Sequence, residues 1–161
     1  MNTIRVQEQD FDIKAEYDAL RCKVSTDQAS DISADTGAVV TFTGLVRDFN
    51  LGDGVETLFL EHYPGMTEKS LSDIAEQARS RWSVLKVCII HRVGELKPGD
   101  QIVFVGVSSA HRGDAFSACE YIMDFLKTRA PFWKKEKTAT GSRWVDARSS
   151  DSEAAARWSK N

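Results

Sequence analysis

The sequence predicts an α+β fold: a two-layer sandwich in which helices pack on one side of a mixed sheet, with a further small antiparallel sheet. Three observations carry that prediction. Strand-like runs occur in pairs, helical periodicity returns between the pairs, and one last strand-like pair follows the final long helix. At 161 residues the chain is sized for one domain and buries roughly 70% of its unfolded surface on folding, so it needs no staples.

Residues 4–8 (IRVQE) alternate weakly and read as a strand. From Asp12 to Val24, Ile13, Tyr17, Leu20 and Val24 recur at helical spacing. Residues 25–37 are small and polar and read as a surface loop. GAVVTFTGLVR (37–47) is rich in β-branched residues, VETLFLEHY (55–63) alternates again, and the turn formers at 50–54 predict a hairpin with a long tip. Thr67 to Trp82 then switches period, with Leu71, Ile74, Ala75, Ala78 and Trp82 on one face. VLKVCIIHRV (84–93) is an apolar strand, ELKPGD (95–100) a turn and QIVFVGVSS (101–109) a second strand. Gly113 to Arg129 is the next helix, and Pro131 ends it because the residue before a proline is pushed out of helical geometry. WKKEK and SRWVD form a hairpin about Thr140 and Gly141, and 151–158 a short helix.

Charge narrows the function. Between Lys127 and Arg148 seven cations face two anions, a local +5 in a chain of formal net charge -3, so the rest carries -8. An acidic body with one basic segment argues against broad nucleic-acid binding and suits a small anionic ligand or one acidic partner tail. The sequence has no run of 18 apolar residues, and MNTIRVQEQDFDIK does not resemble a secretory signal, so no membrane association and a cytoplasmic location are expected. Cys22, Cys88 and Cys119 are far apart and read as small hydrophobes. His62, His91 and His111 are scattered, and no metal site is expected.

The basic segment centres on FLKTRAPFWKKE, where Lys127, Arg129, Lys134 and Lys135 flank an apolar corner. Lys127 and Arg129 complement the carbonyl end of a helix, but that leaves Lys134 and Lys135 beside Phe132 and Trp133 unexplained. Cations gathered near apolar walls depress one another's pKa values, which makes a lysine available as nucleophile or acid/base. SSAHRGD enters a helix with His111 and Arg112 at its start, a candidate anion site, although Ser109 or Asp114 can simply cap it. Arg47 and Arg148 each follow a strand, as pocket residues or as solvated strand ends. From the residues alone an enzyme and a non-catalytic module that binds an acidic tail or a phosphate ligand stand level.

Six ordered blocks, GAVVTFTGLVRDFNLGD, LEHYPGMTEKSL, HRVGELKPGD, VGVSSAHRGDAF, DFLKTRAPFWKKE and RWVDARSSD, resemble the large, catalytic subunits of molybdopterin synthase, the MoaE type. The resemblance implies an α/β hammerhead fold with an added antiparallel sheet. It implies one domain over 1–161, with a variable strand, helix and loop at 1–36, a core carrying the active site at 37–148 and a tail at 149–161. It further implies a sulfurtransferase that builds the dithiolene of molybdopterin on cyclic pyranopterin monophosphate. The sulfur comes from the C-terminal Gly-Gly thiocarboxylate of a small ubiquitin-like partner subunit, and no cofactor is implied. Large subunits pair as a homodimer and bind one small subunit at each end, giving a heterotetramer.

By motif, the resemblance makes Lys127 and Lys134 the catalytic pair, Lys127 moving protons and Lys134 holding the thiocarboxylate or its oxyanion. It places Leu45, Val46, Arg47, His111, Arg112, Lys135, Glu136 and Arg148 with them around the substrate, and lets Arg148 reach across the dimer. Two positions depart from the family pattern: Leu45 stands where some relatives carry lysine, and Lys135 where arginine is common, which weakens any forked phosphate contact.

Overall fold

The structure, a computed structural model, describes residues 1–22, 32–50, 53–146 and 148–160. In chain order the elements are β1 (Asn2–Gln7), α1 (Ile13–Arg21), β2 (Ala38–Leu45), β3 (Phe49–Asn50), β4 (Asp53–His62), α2 (Met66–Arg81), β5 (Val84–Arg92), β6 (Gly94–Leu96), β7 (Gln101–Ser109), α3 (Arg112–Arg129), β8 (Phe132–Thr138), β9 (Gly141–Val145) and α4 (Ser149–Ala156), closed by a 3₁₀ turn at Arg157–Lys160. The first sheet runs β1-β5-β7-β2, with β1 parallel to β5 and the other pairs antiparallel. The second is antiparallel and runs β3-β4-β8-β9, with β6 also paired to β4. The fold is thus α+β with a second antiparallel sheet, as expected.

The main core lies between the first sheet and the α2/α3 layer. Val87 and Ile89 of β5 and Val105 and Val107 of β7 meet Leu71, Ile74, Ala75 and Ala78 of α2 and Ala118, Ile122 and Phe125 of α3. The alternate residues Cys88, Ile90 and Phe104 point the other way, onto Phe11 and Leu20 of the α1 segment. Helices therefore cover both faces of this sheet, which corrects the one-sided layer. The VCII run has no polar face, and a strand apolar at successive positions needs cover on both sides. Gly106 permits the close approach: a Cβ there would stand 2.4 Å from the Leu20 Cδ1.

Two local expectations change. The strands at 37–47 and 55–63 do not form one hairpin: β2 pairs with β7, while β4 pairs with β3, β6 and β8. A turn signal fixes only the residues beside it, here Phe49 with Gly54 and Asn50 with Asp53, and the tip at 51–52 lies outside the described residues. The chain changes sheets at Val46, whose N–H donates to the Asp100 carbonyl at 2.9 Å and whose carbonyl accepts from Gly99 at 2.9 Å. The expected turn at 95–100 is also shorter, because β6 pairs Leu96 with Leu58 and buries it fully. Val24 and most of the predicted 25–37 loop lie outside the described residues.

Candidate active site

Where the two sheets meet, α3 delivers its last turn and β8 begins. Lys127 stands on that last turn; at Ala130 the backbone is already extended (φ -76°, ψ 128°). The Phe132 N–H donates to the Ala130 carbonyl at 2.9 Å across Pro131, a three-residue turn that swings the chain into β8. The period of two in β8 then sends Lys134, Glu136 and Thr138 inward and Trp133, Lys135 and Lys137 outward. Facing this corner is the end of β2, where a register shift between Gly44 and Leu45 bends the strand. The result is a cleft of about 290 Å³ whose walls include Leu45, Val46, Arg47, Lys127, Lys134, Glu136 and Arg148. Its size is at the lower end for small-molecule pockets, which begin near ~300 Å³.

Seven of the ten residues named from the sequence share that cleft. The depression of pKa anticipated for the lysines falls on Lys134. Burial pushes its ammonium down to about 8; the neighbouring Lys127 charge adds to this, Asp151 opposes it, Arg148 adds and Glu136 opposes. Glu136 is buried and pairs with Arg143 at 3.4 Å, so part of its charge is directed away from the lysines. The arrangement is a concave, partly dry site with four cations on its walls, suited to hold two anionic groups close together.

Three named residues do not line it. His111 caps α3 at its N-terminus and Arg112 opens the helix, both exposed. Lys127 lies 15 and 16 residues beyond Arg112 and His111, a rise of about 22–24 Å, so these two sit more than four helical turns from it. Lys135 points to the opposite face of the second sheet, its ammonium 5.6 Å from the Trp144 ring centre, because it is one residue out of phase with Lys134. Arg129 likewise turns away, its guanidinium 3.9 Å from the Phe125 ring and 3.1 Å from the Gln77 side-chain oxygen. At the start of α3, Ser109 Oγ accepts from the His111 N–H at 3.2 Å and donates to the Ser83 carbonyl at 2.7 Å. Burial pushes the thiols of Cys88 and Cys119 up to about 12.

Among the cleft residues that the sequence reading did not assign to the site are Asp151 and His91. Asp151, on the first turn of α4, lines the cleft and offsets the charge of Lys134. His91 ends the apolar strand β5, is buried, and lies stacked on Phe132 with ring centres 3.8 Å apart. The one available signal was a histidine at the inward position of an otherwise apolar strand.

Comparison with known proteins places this geometry. A family model described as MoaE protein matches residues 6–129, beginning inside the stretch expected to be variable. A relative from Vibrio cholerae named molybdopterin synthase catalytic subunit is 59% identical over 96% of this chain and 97% of its own length. A solved structure of a molybdopterin biosynthesis MoaE protein from Burkholderia ambifaria superposes with a TM-score of 0.80 at 53% identity, covering 99% of both chains. The structure of molybdopterin synthase from Staphylococcus aureus, 34% identical, covers 88% of this chain and 95% of its own with a TM-score of 0.76.

Proposed function

This chain belongs to the MoaE protein family, and from that premise we propose that it is the catalytic subunit of a molybdopterin synthase. Its reaction is sulfur transfer from the thiocarboxylated C-terminus of a small ubiquitin-like subunit to cyclic pyranopterin monophosphate. The observation that carries this reading is that Lys127 and Lys134, on either side of the Pro131 bend, face one cleft with Arg47 and Arg148. Both reactants are anionic, and fixed positive charge in a partly dry cleft offsets their repulsion. The thiocarboxylate sulfur forms a bond to a side-chain carbon of the precursor as a carbon–oxygen bond at that carbon breaks, the oxygen leaving on the phosphate or, once protonated, as water, and the partner stays joined as a thioester. Water then cleaves the acyl–sulfur bond, the partner leaves as a carboxylate, and the sulfur stays on the pterin. A second round supplies the second sulfur.

In this scheme Lys134 holds the thiocarboxylate or the oxyanion formed on acyl release, and Lys127 moves protons during attack and release. Arg47 and Arg148 anchor the phosphate-bearing substrate. His111 and Arg112 take part only as residues of a second copy, since their own helix holds them about 22–24 Å from Lys127. The active form is therefore a homodimer carrying two small subunits. No described helix is long and apolar enough to cross a membrane, and we place the enzyme in the cytoplasm.

The test is Lys127→Ala, assayed with pre-thiocarboxylated partner and precursor. Dithiolene formation falls at least about 100-fold while the far-UV spectrum and melting transition are retained. Near-normal turnover removes the role given to Lys127. A wild-type chain that forms a stable complex but no product leaves a binding module instead of an enzyme.

A further inference from the structure

His91 belongs to the cleft by position, but nothing above assigns it a role. Its ring is fixed twice. Phe132 stacks on it at 3.8 Å with 18° between the planes, and Nδ1 lies 2.8 Å from the Arg92 carbonyl. A carbonyl only accepts, so Nδ1 carries the hydrogen and Nε2 is left with its lone pair. Among the described residues Nε2 makes no hydrogen bond, yet it is not one of the polar atoms sealed from solvent without a partner. The opening it reaches is the cleft that His91 lines.

Lys127 of α3, Lys134 of β8 and His62 of β4 act on this ring, and Arg47, Glu136, Asp146, Arg148 and Asp151 share its cleft. Burial holds the imidazole far below its ordinary range, at about 3; the Arg92 carbonyl opposes this, and Lys127, Lys134 and His62 each add a smaller downward push. Such a ring is neutral at any working pH and too weak a base to take a proton. It remains a hydrogen-bond acceptor. A carboxylate in its place would neutralise the cations that anionic reactants need, whereas a neutral imidazole aims an ammonium group without cancelling it.

We propose that His91 is a positioning residue for the sulfur transfer: clamped by Phe132 and the Arg92 carbonyl, it presents Nε2 to the cleft as a neutral acceptor that orients the ammonium group of Lys127. The inference rests on the function proposed above. It concerns Lys127 because both residues line this one cleft, Lys127 from the last turn of α3.

The test compares His91→Gln, His91→Asn and His91→Phe in the full chain. A glutamine amide oxygen reaches the place of Nε2, an asparagine amide reaches only that of Nδ1, and phenylalanine keeps the stacking alone. Gln is expected within about 3-fold of wild type in single-turnover rate, and Asn and Phe about 30-fold down, with substrate and partner affinities within about 3-fold. Should Phe fail to fold, the Gln to Asn ratio decides, since both are polar replacements of similar cost. A ratio near one, or losses wholly in affinity, overturns the proposal. A second readout needs no turnover: acetic anhydride labelling of Lys127 against Lys97 at pH 8. Loss of an acceptor favours the free amine, so labelling of Lys127 rises about 3-fold in Asn and stays near wild type in Gln. Unchanged labelling in Asn also overturns the proposal. A wild-type chain without turnover whose labelling still follows this pattern refutes the proposed function and leaves the positioning role standing.

Discussion

Lys134→Met should make this protein more stable and inactive. Burial, reinforced by Lys127, brings the Lys134 ammonium from 10.5 to about 8. At ~1.4 kcal/mol per pH unit, the charged form is disfavoured by roughly 3 kcal/mol at neutral pH. Methionine has similar reach and no charge, and the shift to about 8 already includes the attraction of Asp151 and Glu136; with up to about 1.5 kcal/mol lost to imperfect packing, the net gain is about 1–2 kcal/mol. For a domain of this size that raises Tm by about 3–6 °C. The pH dependence identifies the cause. Below pH 8 both folded and unfolded chains hold the proton, and the full cost of the buried charge is present. Between about 8 and 10.5 the unfolded chain keeps a proton that the folded chain has released, so wild-type stability rises with pH. The advantage of methionine should therefore be largest at pH 7 and shrink steadily toward pH 10.5. Urea unfolding of both proteins at five pH values, with turnover measured alongside, reads the whole effect. A variant no more stable at pH 7, with a stability difference that is flat through this window, refutes the electrostatic account of the cleft.

Mixed dimers test the second copy: Lys127→Ala and Arg112→Ala chains, each inactive alone, should recover about a quarter of wild-type turnover when refolded together in equal amounts. No recovery means that Arg112 acts within its own chain or not at all. Replacing Cys22, Cys88 and Cys119 together should leave turnover within about 3-fold, because none of them lines the cleft and the thiols of Cys88 and Cys119 are buried and pushed up to about 12. A loss of turnover in a folded triple variant would show that a cysteine takes part in the transfer. Gly106→Ala places a Cβ 2.4 Å from the Leu20 Cδ1 and 2.9 Å from the Phe104 ring, and should cost about 1–3 kcal/mol in urea unfolding. Unchanged stability would show that α1 is not tightly seated on the sheet.

The parts of the fold that were legible are those whose pattern is local. β5 and β7 are continuous apolar runs, α2 and α3 keep one apolar face over four turns or more, and Pro131 marks the end of α3 without ambiguity. What escaped depends on partners distant in sequence. Nothing in GAVVTFTGLV distinguishes a strand that pairs with 55–63 from one that pairs with 101–109, and β6 is three residues, too short for any periodicity to register. The side on which α1 packs was readable in principle, since VCII demands cover on both faces, but the helix that would provide it lies more than sixty residues upstream. In the site, Lys127 and Lys134 were found because the residues between them form one rigid corner. His91 and Asp151 arrive from other elements and carry no motif of their own.

The separation of His111 and Arg112 from the cleft of their own chain is instructive, because the sequence contained the distance. Residues at opposite ends of one uninterrupted helix of 18 residues are held about 27 Å apart, whatever the rest of the fold does. Grouping both ends around one substrate therefore requires two copies of the helix. Under the proposed function α3 then works as a spacer: its C-terminal lysine serves the cleft of its own chain, and its N-terminal pair serves the cleft of the other. The two clefts are coupled through a rigid element buried in the core of each protomer by Ala118, Ile122 and Phe125. A change within α3 that shortens it by one turn should consequently leave each Lys127–Lys134 cleft folded but withdraw the opposing cations by about 5.4 Å. That separates substrate binding from partner binding in a way no substitution at the cleft itself can.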